Sequence, residues 1–392
     1  MNDPRGSVWR KWDLHVHTPD SLVQRYGGAT EEIWKRYIDA LSRLPSEFKV
    51  LGINDYIFLD GYKKVLAAKM AGKLPNIELL LPVIELRLDK FGGTKTSLSR
   101  VNYHVIFSDQ IPVDTIESQF LGALNSKYEL TPALDLLRKG KKWSGIPTRK
   151  ALEDLGQAII ESVPMAERPN YCSPIIEGFN NLCLRLDSIQ EVLSSPYFAD
   201  KVITAVGKAE WADIKWNDHS IADKKTIING ANLVFISSST TAEWIRAKKS
   251  LEKAGVNDRL LDCSDAHSFS DSSEKDRLGN CFTWIKADPT FEGLLQVVNE
   301  PNERCFIGDL PPKLKQVQRN RTKYISDIQI RRKPTATLSE TWFDNNIPLN
   351  PDLVAIIGNK GKGKSALVDI IGLLANSKQY KSFTFLTEPI QV

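Results

Sequence analysis

Near the N-terminus the chain reads Asp13-Leu14-His15-Val16-His17-Thr18. In an extended strand alternate side chains share a face, so Asp13, His15 and His17 are expected to line one side while Leu14 and Val16 enter a core. Two imidazoles held two residues apart on a rigid strand can grip one metal ion; an edge strand with two solvated histidines is the plainer alternative. The chain has only five histidines, His15, His17, His104, His219 and His267, so their occurrence in motif-like contexts is informative. Glu85 lies between Ile84 and Leu86, where a carboxylate is costly unless it is paired or metal-bound. His104, between Tyr103 and Val105, reads in isolation more simply as a buried neutral histidine than as a ligand. Ser264-Asp265-Ala266-His267 again sets a carboxylate and an imidazole two apart, with a capping arrangement as the alternative. Glu210 follows an apolar run, and a surface salt bridge is its plainer role. Asp55 closes another apolar run and is the candidate catalytic carboxylate, or a cap for the next helix. His219, in Trp-Asn-Asp-His-Ser, reads as a surface residue.

These side chains need strands to hold them. Phe48–Tyr56, Leu79–Leu88, Val101–Phe107, Lys201–Gly207, Ala231–Ser237 and the run from Leu260 are short and apolar, and several end in polar groups. Between them lie helical patterns: one from Thr30, an N-cap followed by Glu31 and Glu32, then Gly61–Ala71, Ala151–Ser162, a shorter one at Ser188–Ser195, and Thr241–Ala254. Such alternation predicts an α/β domain with a largely parallel sheet or barrel, whose chemistry sits where strands finish. Residues 108–200 are less legible.

The 392 residues are 42% hydrophobic and 26% charged, with a net charge of +4. Those proportions belong to a soluble globular protein of one or two domains, and the mild basicity permits nucleic acid as a partner without requiring it. No apolar run reaches the length of a membrane span, and no secretory signal opens the chain. Five cysteines without a Cys-x-x-Cys pair fit a reducing, cytoplasmic compartment.

Taken in order, Asp13-x-His15-x-His17, Asn54-Asp55-Tyr56, the strand with Glu85, the strand with His104 and Ser264-Asp265-Ala266-His267 resemble the motifs of the PHP (polymerase and histidinol phosphatase) domain, over roughly residues 8–310. The resemblance implies a distorted seven-stranded β/α barrel, TIM-like, with two or three metal ions at the strand ends. His15, His17, Glu85, His104, Asp265 and His267 fall on its metal-ligand positions, and Glu210 lies near a further one. Two positions depart from the pattern: Asp55 is followed by Tyr56 where the family has histidine, and Ser21 is followed by Leu22 rather than aspartate. Imidazole and carboxylate ligands together suit zinc, manganese or iron. Such a site would activate water and clamp the attacking and leaving oxygens of a phosphate ester. No separate general base stands out. The expectation is a metal-dependent phosphoesterase or nuclease.

Basic residues crowd after Pro311-Pro312: Lys313, Lys315, Arg319, Arg321, Lys323, Arg331, Arg332 and Lys333. They form a linker over 311–340 that suits a nucleic-acid backbone or simply solvent. In the segment 341–392, the apolar run Leu353–Ile357, expected as a strand, leads into Gly358-Asn359-Lys360-Gly361-Lys362-Gly363-Lys364-Ser365 and a helix from Ala366. This is the phosphate-binding loop pattern, in which Lys364 would reach the phosphates of Mg-ATP and Ser365 the magnesium. The segment resembles the start of SMC- and RecF-like ATPases, and no Walker B carboxylate follows. ATPase activity of this chain alone is therefore unexpected, and a further chain would supply the rest of that domain. The combination resembles the TrlF-type PHP–ATPase family, truncated within its ATPase, and implies a nucleic-acid substrate. Two alternatives stand beside it: a catalytically reduced PHP module regulating the ATPase, and a small-molecule phosphomonoesterase.

Overall fold

The computed structural model describes residues 3–94, 97–131, 143, 145–207, 221–335, 337 and 345–383. The chain divides into two compact units, Met1–Lys315 and Gln316–Val392.

The first unit is mixed α/β and is built on a nine-stranded sheet that nearly closes into a barrel. Its strands are β1 Trp9–His17, β2 Phe48–Asn54, β3 Leu79–Thr94, β4 Ser97–Phe107, β5 Val202–Gly207, β6 Leu233–Ile236, β7 Leu260–Asp262, β8 Thr283–Lys286 and β9 Cys305–Ile307. Their spatial order is β9-β8-β1-β2-β3-β4-β5-β6-β7. From β1 to β7 neighbours run parallel except around β4, which opposes both β3 and β5. A parallel bridge from Val16 to Ala266 brings the chain just beyond β7 back to β1. Two antiparallel strands, β8 and β9, extend the sheet past that seam.

Period-two alternation sorts the strand residues into two apolar clusters. One holds Trp12, Leu14, Val50, Leu81, Val83, Ile106, Ala205, Leu233, Phe235, Leu261 and Cys263, together with Phe291, Leu294 and Val297 of α8 (Phe291–Asn299). The other holds Ile53, Leu80, Ile84, Val105, Val206 and Val234 with the flanking helices. Thr30 caps α1 (Glu31–Ser42) by accepting the Ile33 N–H, and Trp34, Tyr37 and Leu41 form its buried face. The expected helices recur as α2 Asp60–Met70, α3 Arg149–Glu161, α5 Leu186–Leu193 and α7 Thr241–Ala254, joined by α4 Pro174–Asn180 and α6 Ile221–Gly230.

Strict alternation fails at one place. The β1–β2 register shifts between Asp13 and Val16, so Leu14 joins the first cluster and Val16 the second. The single core face expected for Leu14 and Val16 is thereby divided, because a bulge re-aims the residues that follow it. Gly52 makes this approach of strands possible: a Cβ there would stand 2.5 Å from the Leu14 carbonyl oxygen.

In the second unit, Asp327–Ile330 pairs antiparallel with Asn345–Pro348, and α9 spans Lys364–Leu374. The expected strand at Leu353–Ile357 is not formed, and Leu353 and Ile357 are about nine-tenths exposed. A strand needs a neighbour to take its N–H and C=O groups, and among the described residues none lies alongside.

Candidate metal centre

Several barrel strands carry apolar residues up to a level and then a polar one at the next position on the same face. On β3 the inward series Leu79, Leu81, Val83 ends in Glu85; on β4 Ile106 gives way to His104, its register partner. Beyond β7, Leu261 and Cys263 lead to Asp265, and on β2 Asn54 follows Val50 and Gly52. After the bulge, β1 adds His15 and His17. The ligands therefore form one layer on top of the apolar plug.

Their polar atoms converge. His15 Nε2 lies 3.0 Å from His17 Nε2, 3.2 Å from Glu85 Oε2 and 3.3 Å from Asp265 Oδ1. His17 Nε2 is 3.4 Å from Asp265 Oδ1 and 3.7 Å from Glu85 Oε2. His104 Nε2 lies 3.6 Å from Glu85 Oε2. Ligands at about 2.0–2.1 Å from a common ion stand roughly 3.0–3.4 Å from one another in octahedral or tetrahedral geometry, so this spacing fits a cation among them. Among the described residues two triads bring their donor atoms within 4.8 Å of one another, His15–Glu85–His104 and His15–His17–Asp265, and the second has the tighter spacing. Both ring nitrogens of His104 are buried and lack a hydrogen-bond partner, which is expensive unless something else takes them.

The supporting contacts fix the rings. His17 Nδ1 meets Ser21 Oγ at 2.9 Å, leaving Nε2 for the cluster. Asn54 Oδ1 accepts the Tyr56 N–H at 3.0 Å, so its amide nitrogen points at Glu85 Oε2 (2.7 Å) and His15 Nε2 (2.8 Å). Without a cation the electrostatics are lopsided. Burial works against charge on His15, but Asp265 and Glu85 outweigh it and raise its pKa to about 9. Burial, then the neighbouring His267, push His17 down to about 3. Burial likewise opposes charge on Glu85 and Asp265, yet the surrounding imidazoles hold both carboxyls below the usual range. Two carboxylates, one buried and one partly exposed, that both depend on nearby positive charge mark a place for a cation.

Not every expected residue joins the cluster in the same way. His267 stacks on His17 with ring centroids 4.0 Å apart. Its Nδ1 lies 2.6 Å from its neighbour's backbone, the Asp265 carbonyl, and its Nε2 lies 3.3 Å from the Tyr56 hydroxyl. Tyr56, at φ 58°, and Asp265, at φ 50°, both occupy left-handed backbone at strand ends, a conformation that marks functional turns. Asp55, the candidate catalytic carboxylate, commits both oxygens to one neighbour. Its Oδ1 accepts the Thr18 N–H at 2.9 Å and its Oδ2 the Thr18 hydroxyl at 2.8 Å, anchoring the loop that follows His17. Burial raises its carboxyl to about 7. Glu210 and His219 lie outside the described residues. Asn54 was not among the candidates; its only signal was a polar residue ending a buried strand.

A cleft of about 530 Å³ opens on the cluster, and its lining includes His15, His104, Asp265, Arg246 and Lys275. In the second unit, Gly361 (φ 82°) and Gly363 (φ 77°) turn the loop before α9. Lys364 Nζ folds over it, donating to the carbonyls of Gly358 (2.6 Å) and Asn359 (2.9 Å), and Ser365 sits in the first turn of the helix. The chain is matched by no family model and by no curated protein.

Proposed function

We propose that the first unit is a metal-dependent phosphoesterase of the PHP kind, holding at least two divalent ions and acting on nucleic acid. The observation that carries this reading is His104: a buried imidazole with neither nitrogen hydrogen-bonded, 3.6 Å from a carboxylate shared with His15 and His17. One imidazole nitrogen serves one ion. His15, His17 and Asp265 would therefore hold one cation and His104 another, with Glu85 between them. The sheet supports the resemblance: nine strands nearly close into a barrel, and the Val16–Ala266 bridge brings the chain beyond β7 back to β1. A bound pair of zinc, manganese or iron ions would supply activated water and polarise the phosphoryl oxygen. The chain's own part is to orient the ligands through Ser21 and Asn54, and to anchor the loop after β1 through Asp55. In the same reading the loop 358–365 binds Mg-ATP. The five free cysteines agree with a reducing compartment, the cytoplasm.

Elemental analysis and hydrolysis of bis(p-nitrophenyl) phosphate test the proposal. Wild type is expected to carry at least two ions per chain and to turn over the diester. His15→Ala should lower turnover by at least about a hundredfold, and His104→Ala should lose about one ion. Full metal content in His104→Ala would overturn the two-ion reading. Tyr56 favours a second reading, in which a reduced PHP module binds metal and regulates the ATPase, because its hydroxyl takes the His267 nitrogen that a further ion would need. Metal content without cleavage of any mono- or diester, DNA or RNA would select that reading.

A further inference from the structure

The cleft over the candidate metal cluster is lined in part by a helix surface unlike one that faces a core. α7 presents Glu243, Arg246, Ala247 and Ser250 to the cleft, an i, i+3, i+4, i+7 stripe that faces one way. Such a stripe is apolar where a helix packs on a core, yet this one is mostly polar, and Leu251 is the only buried residue of α7. Glu243 is already committed, accepting the Ser239 N–H at 2.7 Å. Arg246 is exposed and makes no hydrogen bond or ion pair among the described residues. Lys275, from the loop beyond β7, also lines the cleft, with one contact at 3.0 Å to the Ser237 carbonyl. The lining of one cleft therefore carries carboxylate and imidazole groups suited to cations together with two cationic side chains that have no carboxylate partner among the described residues.

We infer that Arg246 and Lys275 form a subsite for a second phosphate, so that the substrate is a polynucleotide backbone rather than an isolated phosphate ester. The inference rests on the phosphoesterase reading and names its substrate class. Ions at the cluster would satisfy the scissile phosphate, and a single-phosphate ester would leave both wall cations unused. A neighbouring backbone phosphate uses them: the guanidinium can offer a phosphate two parallel N–H donors, and the ammonium a point charge. The volume of about 530 Å³ is in the range of pockets that take a nucleotide-sized ligand.

The test compares three substrates on the metal-loaded full chain: a five-residue oligothymidylate, bis(p-nitrophenyl) phosphate and thymidine diphosphate. Arg246→Gln and Lys275→Gln should each lower the ratio of kcat/KM for the oligonucleotide to that for the chromogenic diester by about tenfold, mainly through KM. Each should also flatten the salt dependence of log KM by roughly 0.7, the loss of one single-strand phosphate contact. Both positions are exposed, and unchanged metal content verifies that the variants are folded. An unchanged ratio overturns the subsite. Dependence on Arg246 with thymidine diphosphate but not with the oligonucleotide overturns the polynucleotide assignment. If wild type cleaves none of the three, the phosphoesterase reading itself fails.

Discussion

Asp55 illustrates how one carboxylate can shape a candidate site through its neighbour. Both of its oxygens hold Thr18, the residue directly after the second ligand histidine, so it fixes the end of β1. Burial is the main cause of its raised pKa, and the two Thr18 hydrogen bonds only partly offset it. Between the ordinary value of 3.8 and about 7 the folded protein keeps a proton that the unfolded chain has released. The stability contributed by this group is complete below that window and is lost as the pH rises through about 7. Asp55→Asn imitates the protonated acid and has no such dependence. Urea unfolding of the chelated proteins at about pH 5 and pH 8 should show wild type losing about 1–2 kcal/mol relative to Asp55→Asn on going to the higher pH. A gap that widens in favour of wild type at high pH would contradict the assignment.

At the scale of elements, the junction of β1, β2 and α2 decides where the ligands stand. The bulge in β1 turns His15 and His17 toward Glu85 and His104, and Gly52 lets the two strands approach. Gly61, in the first turn of α2, lies against Asp55 and Thr18, and an added methyl group would overlap Asp55 Oδ2 and Thr18 Oγ1. Gly61→Ala should therefore cost about 1–3 kcal/mol of stability and weaken metal retention, because the loop after His17 must shift. Denaturant titration together with elemental analysis checks this; unchanged metal affinity would show that the loop's position does not govern the centre.

At the scale of the whole molecule, the apolar clusters belong to one unit. Every residue of both clusters lies between Trp12 and Cys305, whereas Ala366 is the only buried apolar residue of the second unit among those described. Leu353, Ile357, Val368 and Leu374 of that unit are exposed. Folding free energy at about 25 cal/mol per Å² of buried apolar surface must therefore come almost wholly from the first unit. Limited trypsin digestion should cut within 316–383 first. A chain ending at Lys315 should keep the metal content and melting temperature of the full chain within a few degrees. A fragment that unfolds or loses its metal would show that the second unit supports the barrel.

Much of the site could be read before the fold. His15, His17, Glu85 and Asp265 were legible as polar residues in or at the end of apolar strands, whereas His104 was legible as a ligand only through the resemblance to the PHP motifs. Most helices were legible from their caps and periodicity, which are local. Three matters were not. The β1 bulge is a property of pairing, and it re-aims Leu14 against simple alternation. Asn54 and Asp55 are adjacent polar residues at one strand end, and only the closing of the sheet sends one to the cluster and the other to Thr18. The run Leu353–Ile357 has the composition of a strand, but composition cannot provide the neighbour that would take its hydrogen bonds. Sequence by itself determined which residues pay to be buried and roughly where strands end; tertiary structure decided which of their atoms meet, because convergence depends on register, bulges and closure between segments up to 250 residues apart.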